Sequence, residues 1–191
     1  MGTFTTYYGI SYGLIAFHGV ANENSAKATK LSPSDIDKFK EALWKSIRES
    51  VSAHTRTKRE QQPRLLLNIV YKEKIKIMDE SNKEAEVPTE YHIGSLEEKI
   101  KLNPKDNEEI NITKTEDYTL DPSKLFDAIS RAKDKIERVE YCLSPEFCDI
   151  FKSESNEIDF AEKLTEIARK NGKKFYFEVK NLDIDRLSAG A

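Results

Sequence analysis

Apolar residues along this chain switch between strand-like and helix-like spacing, and polar stretches separate the two patterns. Residues 3–20 are dominated by β-branched and aromatic side chains, and Leu14 to Phe17 form an unbroken apolar run. Such a run is typical of a strand buried on both faces. We therefore predict a buried strand near the start of the chain, followed by a polar loop over residues 21–31.

The next pattern predicts a helix over about residues 33–53. Ser32-Pro33-Ser34-Asp35 supplies an N-cap, a proline in the first turn and an acidic residue beside the helix start. Apolar residues then recur every three or four positions, so they share one helix face. They are Ile36, Phe39, Leu43, Ile47 and Val51.

The sequence up to residue 145 contains patterns for three further strands and one further helix. A second helix begins after Asp121-Pro122, with an apolar stripe at Leu125, Ile129, Ala132 and Ile136. The charged stretch 72–90 has no period and is interpreted as a strand end followed by a hairpin or loop. The predicted strands lie at residues 65–71, around Ile110 and Ile112 with Tyr118 beyond them, and at residues 138–143.

The resulting order is strand, helix, strand, strand, helix, strand. It predicts an α+β fold of the RRM or ferredoxin-like type, with an antiparallel sheet and both helices on one face. We assign residues 1–145 to this domain and residues 146–191 to a C-terminal extension of one helix and one edge strand. Many enzymes share this order of elements, so the fold alone does not decide the function.

Charge is distributed very unevenly along the chain. The formal net charge of −3 conceals a basic stretch at residues 27–76, which holds 13 Lys and Arg against 6 Asp and Glu. Residues 77–191 carry 18 basic and 27 acidic groups. Such asymmetry indicates a face that binds a polyanion, and it also suits subunits that stack with a basic face against an acidic one.

The centre of the basic stretch is residues 54–64, which we call the basic segment. It lies between the end of the first predicted helix and the start of a predicted strand. Several cationic donors on one loop are suited to binding a chain of phosphates, although a solvated basic connection would have the same composition. The candidate residues for such a polyanion site are His54, Arg56, Lys58, Arg59, Gln62 and Arg64.

Residue types that carry metal or catalytic chemistry are sparse. The three histidines His18, His54 and His92 lie far apart in sequence, and the two cysteines Cys142 and Cys148 lack neighbours suited to zinc. No catalytic residue, metal site or cofactor is therefore predicted. Two cysteines, and no apolar run near the roughly 20 residues needed to span a bilayer, predict a cytoplasmic protein without membrane contact.

Five segments together resemble a known family in their order and spacing. The resemblance is to the C-terminal half of the backbone subunit of type I-B CRISPR effector complexes (Cascade), the DevR-like branch of the RAMP superfamily. It covers residues 2–145. The segments are Tyr12-Gly-Leu-Ile-Ala-Phe-His-Gly-Val-Ala-Asn-Glu-Asn24, His54-Thr-Arg-Thr-Lys58, Pro63-Arg-Leu-Leu-Leu67, Tyr91-His-Ile-Gly94 and Tyr118-Thr-Leu-Asp121.

The resemblance implies an RRM-like subunit that polymerises along CRISPR RNA and is not an enzyme. It makes the six candidate residues at positions 54–64 predicted RNA-binding residues. The implied partners are CRISPR RNA, other effector subunits including copies of itself or a full-length homologue, and, indirectly, target DNA. The family's N-terminal part has no counterpart in this sequence, so a partial or permuted version of the fold is expected.

Two other functions are compatible with the same residues. A truncated subunit could act through protein contacts, as a cap or regulator of the effector filament. Alternatively, because related RAMP proteins include metal-independent ribonucleases that use histidine, His54 beside the basic segment could serve in RNA cleavage. The tyrosines Tyr7, Tyr8 and Tyr12 are candidates either for stacking on bases or for packing in the sheet.

Overall fold

The computed structural model describes residues 12–49, 61–78, 83–106, 108–145, 151, 159–169 and 174–184. These residues form four α-helices and seven strands, which confirms a mixed α+β protein. In chain order the elements are α1 Glu23–Thr29, α2 Pro33–Glu49, β1 Leu65–Tyr71, β2 Lys74–Met78, β3 Glu84–Pro88, β4 Lys101–Pro104, β5 Tyr118–Asp121, α3 Ser123–Ala132, β6 Ile136–Leu143, α4 Phe160–Ala168 and β7 Glu178–Asn181.

The largest sheet has three strands in the order β1-β6-β7. β1 pairs antiparallel with β6, from Leu65 opposite Leu143 to Tyr71 opposite Ile136, whereas β7 pairs parallel with β6. The antiparallel pair of β1 and β6 agrees with the sheet predicted for residues 1–145, and the parallel strand β7 belongs to the predicted C-terminal extension. A parallel pair needs a crossover between its strands, and α4 lies in that crossover. In the described part of the chain, β1 is paired along one side only.

Two hairpin-like pairs complete the strands. β2 and β3 pair antiparallel from Lys74 opposite Pro88 to Met78 opposite Glu84, which confirms a hairpin within the charged stretch. β4 pairs antiparallel with β5. The strand predicted around Ile110 and Ile112 was wrong, because residues 109–111 form a single 3-10 turn in which Ile110 is 87% exposed. No described strand pairs with the short alternation of apolar residues at Ile110 and Ile112.

The main core lies on the face of the sheet that carries Val139 and Tyr141. Helix α3 packs there through a fully apolar stripe, as predicted for the second helix, although Ile136 belongs to β6 instead. Phe160 of α4 contacts the rings of Phe126 and Tyr141 at centroid distances of 5.3 and 5.9 Å. The described residues beyond 145 thus share this core, while the division at residue 145 stays a prediction.

The opposite face of the sheet carries Glu140 and Cys142, and α2 packs against it. Side chains alternate between the faces of a strand, so α2 and α3 lie on opposite faces. The prediction of both helices on one face was wrong. Trp44 of α2 is buried against Cys142 and Ile184, which places the Cys142 thiol among packing residues.

The buried face of α2 differs from the predicted apolar stripe. Lys40 and Trp44 are buried, whereas Phe39 is 61% exposed and Leu43 is 37% exposed. The reason is the charge of Glu140, which is 2% exposed and accepts a hydrogen bond from Lys40. A buried carboxylate needs a cationic partner, so the helix turns its lysine toward the sheet.

The N-terminal described segment also departs from prediction. Residues 12–20 contain no helix or strand, and Phe17 is 73% exposed, so a buried strand over these residues was wrong. Residues 3–11 of the predicted strand lie outside the described residues. Part of the predicted polar loop is instead helix α1, capped by the Asn22 side chain, which accepts a hydrogen bond from the backbone N–H of Ser25.

A first prediction concerns the buried ion pair of Lys40 and Glu140. Replacing Lys40 with methionine leaves the Glu140 carboxylate buried without that partner, and we expect a loss of about 3–5 kcal/mol in the free energy of unfolding. Urea denaturation measures the loss. The matched control is Lys76→Met, which removes an exposed pair with Glu84 at 3.0 Å and should cost about 1 kcal/mol or less. Equal losses in the two variants would contradict the prediction.

A second prediction concerns acid stability. Burial alone would raise the pKa of Glu140, but hydrogen bonds from Lys40, Asn68 and Arg138 lower it from 4.5 to about 2. The stabilisation is present above about pH 4.5 and is lost as the pH falls through 2. In urea titrations from pH 7 to pH 2, the parent should lose a few kcal/mol more than Glu140→Gln. Exposed Glu178→Gln should behave like the parent; a parallel decline in Glu140→Gln would refute the assignment.

Candidate nucleic-acid interface

Two of the six predicted RNA-binding residues, Gln62 and Arg64, lie in the described part of the structure. His54, Arg56, Lys58 and Arg59 lie outside the described residues. Gln62 is exposed, and Arg64 is half-buried immediately before β1. The backbone carbonyl of Arg64 accepts a hydrogen bond of 3.0 Å from the N–H of Ser144, so the backbone is fixed where β1 begins.

The Arg64 side chain contacts a cluster of hydroxyl groups, which we call the Arg64 cluster: Arg64, Thr115, Tyr12 and Tyr118. Nη2 of Arg64 donates to Oγ1 of Thr115 at 3.1 Å. The hydroxyl oxygen of Tyr12 lies 3.4 Å from the same Oγ1 and 2.8 Å from the hydroxyl of Tyr118. The Tyr12 ring lies 5.8 Å from the Tyr118 ring and packs against the main core. Packing is one of the two roles predicted for Tyr12.

Burial affects the pKa of one member of this cluster, Tyr118. Tyr118 is fully buried, and burial followed by the hydrogen bond with Tyr12 raises its pKa well above the usual range, with Arg64 acting in the opposite direction. The Tyr118 phenol is thus a neutral donor and acceptor at physiological pH. The guanidinium of Arg64 supplies the positive charge of the cluster, and a guanidinium is a planar fork of N–H donors that suits phosphate oxygens.

A tight turn positions Thr115. The Oδ2 atom of Asp117 accepts hydrogen bonds from the N–H and hydroxyl of Thr113, at 2.9 and 3.0 Å, and from the N–H of Lys114, at 3.1 Å. The bond from the Thr113 N–H is the largest of the effects that lower the pKa of Asp117. Thr115 follows directly, so its hydroxyl is presented to Arg64 from an ordered backbone. Sequence analysis gave no signal for this residue.

A second cluster lies at the other end of β1. The hydroxyl oxygen of Tyr71 accepts a 2.9 Å hydrogen bond from the N–H of Ile93, and the rings of Tyr71 and Tyr91 lie 6.1 Å apart and nearly perpendicular. The rings of His18 and His92 lie 6.4 Å apart. These histidines are 74 residues apart in sequence, so no local pattern could have paired them.

Gly94 ends the segment that holds Tyr91 and His92. Its φ of 86° lies in the left-handed region, where a side chain would be strained, so the turn after Ile93 requires glycine. The short Tyr91-His-Ile-Gly94 segment is therefore held at both ends, by Tyr71 and by this turn. Among the described residues, no group of three or more His, Cys, Asp or Glu side chains is placed to hold a metal ion.

The structure thus brings four of the five sequence segments that carry the resemblance together around β1. Three of them meet in the Arg64 cluster through Tyr12, Arg64 and Tyr118. The contact of His18 with His92 brings the fourth to the far end of β1. None of the described helices is long and apolar enough to cross a bilayer. These features define a mixed α+β protein in which the strand β1, paired on one side in the described chain, has an arginine cluster at one end and exposed aromatic rings at the other.

Comparison with known proteins places the chain in a family. The family model for CRISPR-associated protein Cas7 matches residues 1–123, and the chain belongs to the Cas7 family. A CRISPR-associated protein Cas7 from Haloferax volcanii is 27% identical over 128 residues, which cover 67% of this chain and 32% of the relative. The chain therefore spans about a third of that relative's length. The predicted resemblance is confirmed at the level of the family.

A third prediction concerns the tyrosine pair. Tyr12→Phe removes the hydroxyl that bonds the buried hydroxyl of Tyr118, and we expect a loss of about 1–3 kcal/mol in the free energy of unfolding. Replacing both tyrosines with phenylalanine removes both polar atoms and should cost less than the single change. Chemical denaturation of the two single variants and the double variant tests this. A double variant as unstable as the sum of the singles would contradict the prediction.

Proposed function

We propose that this chain is a CRISPR RNA-binding backbone subunit, or a part of one, in a type I CRISPR interference complex, and that it is not a catalyst. Membership in the Cas7 family supports this, since family members are typically non-catalytic subunits of Cascade that bind CRISPR RNA. The finer assignment to the type I-B branch and to its C-terminal half rests on the sequence resemblance. The proposal includes the RRM-like organisation of residues 1–145.

The observation that carries the proposal is the position of Arg64. It is the described end of the basic segment, and its guanidinium is held by Thr115 beside the pair of the half-buried Tyr12 and the buried Tyr118. An arginine held in this way has lost part of its side-chain freedom before any ligand binds, which lowers the entropic cost of a phosphate contact. The sequence places three further cations, Arg56, Lys58 and Arg59, within eight residues before it.

The proposed contacts divide by chemistry. Arg56, Lys58, Arg59 and Arg64 would bind phosphates of the guide RNA, while His54 and Gln62 would add neutral hydrogen bonds. Copies of this chain or of a full-length homologue would bind adjacent RNA segments, and target DNA would be reached through the paired guide. Phosphate contacts position the strand without selecting its sequence, which is what a subunit that binds many different guides requires.

An alternative role through protein contacts is favoured by a different observation. Leu14, Ile15 and Phe17 are exposed together in the segment before α1, and Phe39 is exposed on α2. Exposed apolar groups of this size are typical of surfaces that another protein covers. On this alternative the chain caps or regulates the effector filament and binds RNA weakly. Co-purification of effector subunits that survives ribonuclease treatment, without RNA affinity, would establish it.

A fourth prediction tests the basic segment. Changing Arg56, Lys58, Arg59 and Arg64 together to glutamine should weaken binding of single-stranded CRISPR RNA. Each phosphate contact on a single strand contributes about −0.7 to the slope of log affinity against log salt, so the slope should become shallower by about 3. Filter binding or fluorescence anisotropy at about 50 to 300 mM salt measures the RNA affinity and the salt slope.

The matched control carries the same change of charge elsewhere. Lys163, Arg169, Lys174 and Lys180 are described residues beyond the family match, and their joint change to glutamine should leave the salt slope unaltered. If the variant of the basic segment keeps the parent's affinity and slope, the proposed RNA site is wrong. If both quadruple variants lose slope equally, the effect is one of net charge and not of this segment.

A further inference from the structure

The second cluster at the end of β1 differs in its chemistry from the basic segment. We call it the Tyr91 patch, and it consists of Tyr91, His92, His18 and Lys135. Nζ of Lys135 lies 4.2 Å from the centre of the Tyr91 ring, a cation–π contact. With Tyr71 nearly perpendicular to Tyr91 and His18 beside His92, several flat rings and one ammonium group come together on one surface.

The backbone beneath the patch is ordered by contacts within the sheet. The N–H of Lys72 donates to the carbonyl of Lys135 at 2.9 Å, and Nζ of Lys72 donates to the carbonyl of Asp134 at 2.8 Å. The N–H of Lys135 donates to the carbonyl of Ala132 at 2.8 Å. Together with the bond from Ile93 to Tyr71, these contacts fix the two segments that present Tyr91 and Lys135.

The rings of the patch are exposed, unlike the aromatic rings of the core. Tyr91 is 37% exposed and both histidines are exposed, whereas Phe126, Phe151 and Phe160 are each buried. Packing alone therefore does not account for this group of rings. Exposed rings on ordered backbone are the arrangement on which unpaired bases stack in proteins that bind single-stranded nucleic acid.

The charge near the patch is balanced, which favours bases over phosphates as the bound group. Lys72 and Lys135 are adjacent in the fold. Acidic residues stand next to both lysines and next to the ring, namely Glu73 beside Lys72, Asp134 beside Lys135 and Glu90 beside Tyr91. A patch of this composition has no excess of positive charge comparable to that of the basic segment. Stacking depends on ring area and not on net charge, and it tolerates any base sequence.

We propose that the Tyr91 patch stacks unpaired bases of the same RNA strand whose phosphates bind at the Arg64 end of β1. The inference rests on the proposed function and adds a second contact of a different chemical kind. A seven-residue strand places its ends about 20 Å apart. The segment from Tyr12 to His18 joins the two sites directly, since Tyr12 belongs to the Arg64 cluster and His18 to the patch.

The test uses single-stranded CRISPR RNA that carries the fluorescent base 2-aminopurine. Tyr91→Leu, and the double variant His18→Leu with His92→Leu, should each bind the RNA about 5- to 100-fold more weakly, with an unchanged salt slope. The quenching of 2-aminopurine by ring stacking should fall in the same variants. Tyr91→Phe keeps the ring and should retain both affinity and quenching.

Tyr176→Leu is the matched control, because Nζ of Lys133 lies 4.5 Å from the centre of the Tyr176 ring in the same kind of cation–π contact. We expect the RNA affinity of this variant to equal that of the parent. Urea midpoints of all variants show that the compared proteins are folded. A loss of affinity in Tyr91→Leu that Tyr91→Phe shares, or that Tyr176→Leu reproduces, overturns the inference.

Two further outcomes separate this inference from the proposed function. If the glutamine variant of the basic segment loses affinity while the patch variants bind like the parent, the patch is not a stacking site and the proposed function stands. If the basic-segment variant is unchanged while the patch variants lose both affinity and quenching, the proposed phosphate site fails and stacking is retained. Cleavage of the RNA that depends on His18 and His92 would overturn the inference, because the pair would then be catalytic.

Discussion

A single carboxylate in the middle of the sheet determines how the rest of the described chain is arranged. Glu140 accepts hydrogen bonds from Asn68 at 2.7 Å and from Arg138 at 2.8 Å, in addition to the ion pair with Lys40. A buried charge without such partners would be too costly to keep. Asn68 joins it to β1 and Lys40 joins it to α2, so one side chain connects three elements. The orientation of α2, and with it the exposure of Phe39, follows from this requirement.

The sequence predicted those elements whose local pattern and tertiary surroundings agree. Helix α3 has an apolar stripe against an apolar sheet face, and β1 and β6 are apolar strands between punctuating residues, so all three were predicted close to their observed bounds. The proline-containing cap also predicted where α2 begins. At the level of the site, the sequence indicated that the segment before β1 is basic and that Arg64 belongs to it.

The failures arise where long-range partners decide the outcome. The apolar periodicity of α2 gave no indication that Lys40 would be buried, because its partner Glu140 lies 100 residues away. The pairing of His18 with His92 and the bond from Arg64 to Thr115 depend on contacts between separate segments in the same way. The run from Leu14 to Phe17 has the composition of a buried strand, but in the described chain no partner covers it. The composition of a segment shows which secondary structure it can form, and contacts with other segments decide whether it forms.

The network around Glu140 also works as a tie across the chain. Lys40 precedes the basic segment and Asn68 follows it, so both flanks of that segment are bound to one carboxylate. The cost of closing a loop between fixed ends rises only slowly with its length, by about 0.6 kcal/mol for each doubling. Changes in the length of the basic segment should therefore cost the fold little, whereas Trp44 and β1, which also lie between the anchors, are held by the core. The frame around Glu140 can therefore stay constant while the length of that segment changes.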